Sequence, residues 1–174
     1  MKIIILLTLA VLTISCSINP KKRSEIKDWS KLPMSEQFTA FTSDGCSFFP
    51  EGTKLEKNKW IKCCVIHDME YWIGGTEKLK LAADKRLKQC VASKDAEVIA
   101  KMMFQGVQIG GRPQYQTDFR WGYGWNYNRG YLPVHKKEMD YIKSISPKKG
   151  DDLRKYILKG KLDPEVEVVG PIKL

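Results

Sequence analysis

The chain has 174 residues, a formal net charge of +10 and an aromatic content of 10%. That length fits one domain that buries a real core without a metal or cofactor to hold it together. The charge favours a polyanionic partner, nucleic acid or an anionic lipid surface, without choosing between them. Two histidines exclude His-rich metal clusters and leave few candidates for a base near neutral pH.

The five cysteines are an odd count, and the first residues supply an explanation. Met1-Lys2 precedes an uncharged run from Ile3 to Ile14. This is too short for a bilayer, which takes about 20 residues, so residues 1–15 read as a secretory signal. The run ends at Thr13-Ile14-Ser15-Cys16-Ser17. It resembles the bacterial lipoprotein signal, in which the cysteine is lipidated and becomes the new N-terminus. One departure is that Leu12 sits four residues before Cys16, where that pattern has Leu three before. The expected location is therefore outside the cytoplasm of a bacterium. There the protein is anchored through Cys16 facing the periplasm or exterior, or else secreted. Cys46, Cys63, Cys64 and Cys90 remain, and an oxidising compartment makes two disulfides the default.

Residues 16–37 are polar and basic, with prolines at 20 and 33, and read as a tether. A domain over 38–135 follows. It opens on a loop containing Thr42-Ser43-Asp44-Gly45-Cys46-Ser47 and Pro50-Glu51-Gly52. Asn58 is placed to cap a helix that Gly74-Gly75 stops after Ile73. Thr76 can cap a second helix to about Ala92, with Leu79, Ala83, Leu87, Cys90 and Val91 at helical spacing. A third helix runs from about Asp95 to Val107 and ends at Gly110-Gly111, with Met102 and Met103 expected in the core. Residues 115–131 hold seven of the eighteen aromatic residues, interleaved with Arg120, Arg129 and glycines. This segment is either an interfacial patch whose arginines meet lipid phosphates or, the favoured reading, a loop folded over the helix pair. A C-terminal extension over 136–174 reads as short amphipathic helices and a polar tail, with His135 exposed at its border.

The chemistry is concentrated in Cys63-Cys64-Val65-Ile66-His67-Asp68-Met69-Glu70-Tyr71. On a helix Cys63, His67 and Tyr71 form one stripe, and Cys64 and Asp68 the next. A lone His-Asp pair of this kind is more often a satisfied core histidine beside a surface aspartate. The second helix changes the balance. If an antiparallel pair is bridged from Cys63 to Cys90, His67 lies about 6 Å and Asp84 about 9 Å from the bridge, on the same side. A carboxylate there holds the imidazole by one nitrogen and stabilises its protonated form. Tyr71, one turn on, is placed to donate its hydroxyl to the same carboxylate.

Cys-Cys-x-x-His-Asp-x-x-Tyr at 63–71, with Asp84 and Cys90 six residues apart, resembles the secreted phospholipase A2 family. The loop around Asp44-Gly45-Cys46 is closer to its bacterial and fungal branch, and the animal enzymes' glycine-rich calcium loop is absent. The resemblance covers residues 43–92. It implies a mainly α fold built on an antiparallel, disulfide-linked helix pair, with an additional helix and the aromatic, glycine-rich region beside it. The pairings it implies are Cys63–Cys90 and Cys46–Cys64. It also implies Ca2+ held by the carboxylates of Asp44 and Asp68 and the main-chain carbonyl of Gly45. A backbone N–H near Gly45 or Cys46 serves as an oxyanion donor, and His67 with Asp84 and Tyr71 activates a water. The expected reaction is hydrolysis of the sn-2 ester of phospholipids at a membrane surface, by a monomer with no nucleic-acid partner. Glu51 is more readily a solvated loop residue than a metal ligand. The rival from another class is a catalytically silent lipid-binding or structural lipoprotein on the same scaffold. A zinc module using Cys63, Cys64 and His67 is disfavoured, because adjacent cysteines suit tetrahedral coordination poorly and oxidise after export.

Overall fold

The computed structural model describes residues 28–115, 117–148 and 151–156. Among the described residues there are five α-helices and no sheet: α1 (Met34–Gln37), α2 (Ile61–Ile73), α3 (Glu77–Ala92), α4 (Glu97–Gly110) and α5 (Lys136–Ile145). Single 3-10 turns occupy Trp29–Lys31 and Leu153–Tyr156. The fold is mainly α, as the sequence predicts. The expected signal, the lipidation site at Cys16 and the first part of the tether lie outside the described residues. No helix among the described residues is long and apolar enough to cross a membrane.

Helix α2 is buried on nearly every side, which suits its largely apolar sequence. One face (Ile61, Val65, Met69 and Trp72) packs against Phe38, Phe41, Trp125 and Ile142. Each such side chain, fully buried, contributes about 1.5–3 kcal/mol relative to exposure. The Cys63 and Cys64 side joins Leu87 and Val91 of α3 and Ala100 and Met103 of α4. The start of α2 differs from the expected cap at Asn58. The helix begins at Ile61, and only the main-chain oxygen of Asn58 takes part, accepting from the Ile61 N–H at 3.3 Å. Trp60 fixes that boundary from the loop side. Its N–H donates to the Glu51 carbonyl at 3.0 Å and its Nε1 to the Pro50 carbonyl at 2.6 Å.

Gly74 ends α2 with φ 76°, and a Cβ there would stand 2.8 Å from the Cα of Gly122. Both observations require glycine. The chain reverses in three residues, and the Thr76 side chain accepts from the Leu79 N–H to start α3. The Cys63–Cys90 bridge ties the first turn of α2 to the last turn of α3, so the pair is antiparallel. Ala83, Leu87 and Val91 are buried as their spacing predicts, while Leu79 stands half exposed. Helix α4 packs along α3. It begins at Glu97 because Asp95 sits in the left-handed region at φ 57°. The expected pair of core methionines is corrected: Met103 is buried and Met102 is 50% exposed. Neighbouring helical residues point about 100° apart, so one apolar stripe takes only one of them.

The aromatic segment folds over the helix pair. Its Trp-Gly-Tyr-Gly-Trp run at 121–125 supplies donors to the carbonyls that the end of α2 leaves without helical partners. Gly122 N–H donates to Tyr71 O at 2.7 Å, Gly124 N–H to Trp72 O at 3.1 Å, and Trp125 Nε1 to Ile73 O at 2.9 Å. Trp121 Nε1 reaches Gly75 O at 2.7 Å. Arg129 is buried over the Trp125 ring and paired through two nitrogens with Glu138, so it is not presented to a surface.

Residues on either side of 38–135 belong to the same core. Trp29 stacks on Tyr127 and Gln37 is buried, so the end of the expected tether is packed down. Ile142 of α5 lies in the main cluster, and Tyr156 packs on Phe41. The amphipathic pattern of α5 thus has its partner in the aromatic layer over α2, and residues 136–148 and 151–156 are part of the fold rather than an appendage.

Candidate active site

His67 and Asp84 face each other across the helix pair, with His67 Nε2 2.9 Å from Asp84 Oδ1. Tyr71, one turn past His67, donates its hydroxyl to the same oxygen at 2.7 Å. All three side chains are buried, Asp84 completely. Burial pushes the Asp84 carboxyl up. Hydrogen bonds from His67, Lys80 and Tyr71 outweigh it and hold the group below its ordinary value. Burial and the adjacent Asp84 charge push the Tyr71 phenol up, so it stays protonated and donates. With Nε2 engaged, Nδ1 is the ring nitrogen left to meet a water in the cavity that His67 lines.

The second stripe of α2 carries Asp68, which is 6% exposed. Ser43 Oγ donates to Asp68 Oδ2 at 2.5 Å and in turn accepts from the Gly45 N–H at 3.1 Å. The Gly45 N–H is therefore engaged within the loop, so of the two expected oxyanion donors, Gly45 and Cys46, the first already has a partner. Asp44 accepts from Ser47 Oγ at 2.8 Å. Burial pushes the Asp68 carboxyl well up. The Ser43 hydrogen bond opposes this, and the neighbouring Asp44 charge adds to it. Gly45 has φ 76°, and a Cβ on it would meet Glu51 Oε1 at 2.6 Å. Glu51 is thus partly buried over the loop rather than solvated.

The Cys46–Cys64 bridge fastens this loop to α2 beside the Cys63–Cys90 bridge, and these are the pairings the resemblance implies. From above, the main-chain Ser43 N–H donates to Tyr156 O at 2.9 Å.

Asp44, Gly45, His67, Asp68 and Tyr71 line one cavity of about 560 Å³. Its other walls are largely apolar, including Phe49, Leu87, Met103 and Phe119, with Phe48 fully exposed at the mouth. Among the described residues no group of three or more His, Cys, Asp or Glu side chains is placed to hold a metal ion by itself. A cation here would have two carboxylates and then main-chain carbonyls and water. That oxygen set suits calcium and not zinc. The buried Asp68 carboxyl, with the Asp44 charge adding to its burial, is a group that a bound cation would relieve, and this donor set is compatible with calcium.

Sequence reasoning missed three participants, Lys80, Gln108 and Ser43, and took a fourth, Glu51, for a solvated residue. Lys80 and Gln108 both reach Asp84 Oδ2, Lys80 at 2.8 Å. Ser43 holds Asp68, and Glu51 covers Gly45. Lys80 was findable, because it precedes Asp84 by one turn on the same stripe as the buried Leu87. Gln108 and Ser43 arrive from distant segments and carry no local signal. His135 is exposed at the start of α5 and away from the site. Comparisons with protein-family models, with curated proteins and with solved structures find no match to this chain.

Proposed function

We propose that the protein is an exported, calcium-dependent hydrolase of the phospholipase A2 type that cleaves the sn-2 ester of phospholipids. The observation that carries this reading is the meeting of two groups on one apolar cavity: the His67–Asp84–Tyr71 cluster and the Asp44–Asp68 pair. His67 takes a proton from a water at Nδ1 and returns it to the leaving alkoxide. Asp84 keeps the other proton on Nε2 and stabilises the imidazolium that forms in between. Tyr71 holds the Asp84 oxygen that does this. Asp44, Asp68 and the Gly45 carbonyl would hold the calcium, which when bound polarises the ester carbonyl. Phe49, Leu87, Met103 and Phe119 receive the acyl chain and exclude water.

The two disulfides support an oxidising location, as export through residues 1–15 and anchoring at Cys16 require. The basic balance of the chain supports an anionic phospholipid surface as the partner. The same cavity also supports the rival reading, a lipid-binding protein without catalysis, because apolar walls hold a chain whether or not it is cleaved.

The test is hydrolysis of vesicles labelled at the sn-2 chain. Release of the label that EGTA stops and that His67→Asn abolishes is expected. Release undiminished in EGTA would sink the calcium mechanism. Binding of the vesicles with no release would leave the lipid-binding rival.

A further inference from the structure

The Asp84 carboxylate is fully buried and receives two donors on each oxygen. His67 Nε2 and the Tyr71 hydroxyl meet Oδ1, at 2.9 and 2.7 Å. The Lys80 ammonium meets Oδ2 at 2.8 Å, together with the Gln108 amide. A carboxylate offers about four lone-pair sites, so this one is saturated. Only one of its four donors is an ammonium.

That charge is expensive where it stands. A lysine stem ordinarily runs along apolar surface and leaves its head in water, yet Lys80 is 4% exposed. Besides Asp84, its ammonium donates to the Val107 carbonyl at 3.0 Å. The Tyr71 hydroxyl oxygen, whose proton goes to Asp84, lies 3.3 Å from the same carbonyl. Helix α4 therefore contributes two groups, the Val107 carbonyl and Gln108, to the rear of the carboxylate. Nothing in the Cys-Cys-x-x-His-Asp-x-x-Tyr pattern calls for either. An ionised carboxylate with no cation beside it is costly to bury, and one held at a single oxygen can turn and exchange its oxygens.

We infer that Lys80 and Gln108 are positioning residues for the proposed base: they fix the rear oxygen of Asp84 so that the front oxygen stays on His67 and Tyr71. This rests on the reading of His67 as the general base. Lys80 supplies the compensating charge and Gln108 the second fixed direction. The His67 ring is thereby locked from α3 and α4, without either residue touching substrate.

The experiment uses the full chain with calcium and sn-2-labelled vesicles, and compares the unmodified protein with Lys80→Met, Asp84→Asn and the double variant. In Lys80→Met, kcat is expected to fall by about tenfold to a hundredfold, the range a misplaced catalytic group brings, with KM unchanged. Lys80→Met should add little to Asp84→Asn, because its effect passes through that carboxylate. Urea unfolding of the same four proteins gives a readout independent of turnover: Lys80→Met should destabilise only where Asp84 is present. Equal kcat in Lys80→Met and the unmodified protein would overturn the inference, as would full multiplication of the two kinetic effects. Should Lys80→Met not fold, Gln108→Leu decides, with a severalfold loss of kcat expected and unchanged kcat refuting. Absence of hydrolysis by the unmodified chain would instead remove the reading of His67 on which the inference stands.

Discussion

Asp68→Asn separates the cost of the proposed calcium site from its use. In the calcium-free protein Asp68 is buried at 6% exposure with Asp44 as a like-charged neighbour, and both effects press its carboxyl well above its ordinary value. Asparagine keeps the shape and an oxygen that can accept from Ser43 Oγ. Exchanging a charge-assisted hydrogen bond for a neutral one loses about 1 kcal/mol, while the desolvation penalty removed is several kcal/mol. The net is a calcium-free variant more stable than the parent by about 1–3 kcal/mol. At about 4 °C per kcal/mol for a domain of this size, its melting temperature in EGTA should rise by about 4–12 °C. Calcium should cancel or reverse the difference: at a hundredfold excess over Kd the parent gains about 2.7 kcal/mol and the variant gains little.

The pH dependence has a definite sign. The raised Asp68 group binds its proton more tightly folded than unfolded. Between the unfolded value of about 3.9 and the folded one, the calcium-free parent therefore loses stability as pH rises, and regains it as pH falls. Other carboxylates contribute equally to both proteins, so the difference between parent and variant isolates this group. Melting curves in EGTA and in calcium across that window suffice. A variant that melts below the parent in EGTA, and still responds to calcium as the parent does, would refute the reasoning.

Two further outcomes follow from the same geometry. Cys63→Ser/Cys90→Ser opens a sequence separation of 27, and Cys46→Ser/Cys64→Ser one of 18. Chain entropy assigns about 3.5 and about 3.2 kcal/mol to them, nearly equal losses in urea unfolding. Their calcium responses should differ, because only the second pair fastens the Asp44 loop to α2; equal weakening of calcium-induced stabilisation in both would count against that loop as the metal site. Gly110→Leu places a side chain in open space, with nothing within 4 Å of its Cβ, on the wall of the cavity. Helix propensity favours the change by several tenths of a kcal/mol. The variant should melt no lower than the parent yet lose activity on long sn-2 chains more than on short ones. Equal loss on both would show that the acyl chain does not lie along α4.

What the sequence made legible was local. Thr76 and Gly74 mark the turn between α2 and α3 because capping and positive φ are written in single residues. The His67–Asp84 contact was legible because two helices of known rise, joined by a three-residue turn, leave little freedom in register. What escaped depends on distance or on rotation. Asn58 has a capping side chain, but the loop carbonyls of Pro50 and Glu51 hold Trp60 and delay the helix. Met102 and Met103 are equally apolar, and only the packing of α4 on α3 decides which is inside. The aromatic segment places a ring at every second residue from Phe119 to Tyr127, a strand-like period, yet it forms turns, since its role is to supply donors at the end of another element.

That role bears directly on the chemistry. The last turn of a helix frays unless its carbonyls find donors, and the last turn of α2 carries Tyr71, one turn from His67. The Tyr71, Trp72 and Ile73 carbonyls are all taken by the 121–125 run, and the first turn is held by two disulfides. Helix α2 is thus fixed at both ends by segments remote in sequence, and His67 and Asp68 lie between the fixed points. A motif of nine residues can specify which groups meet. Holding His67 on Asp84 within hydrogen-bonding distance requires the rest of the fold, and the aromatic run does this without contributing a side chain to the reaction.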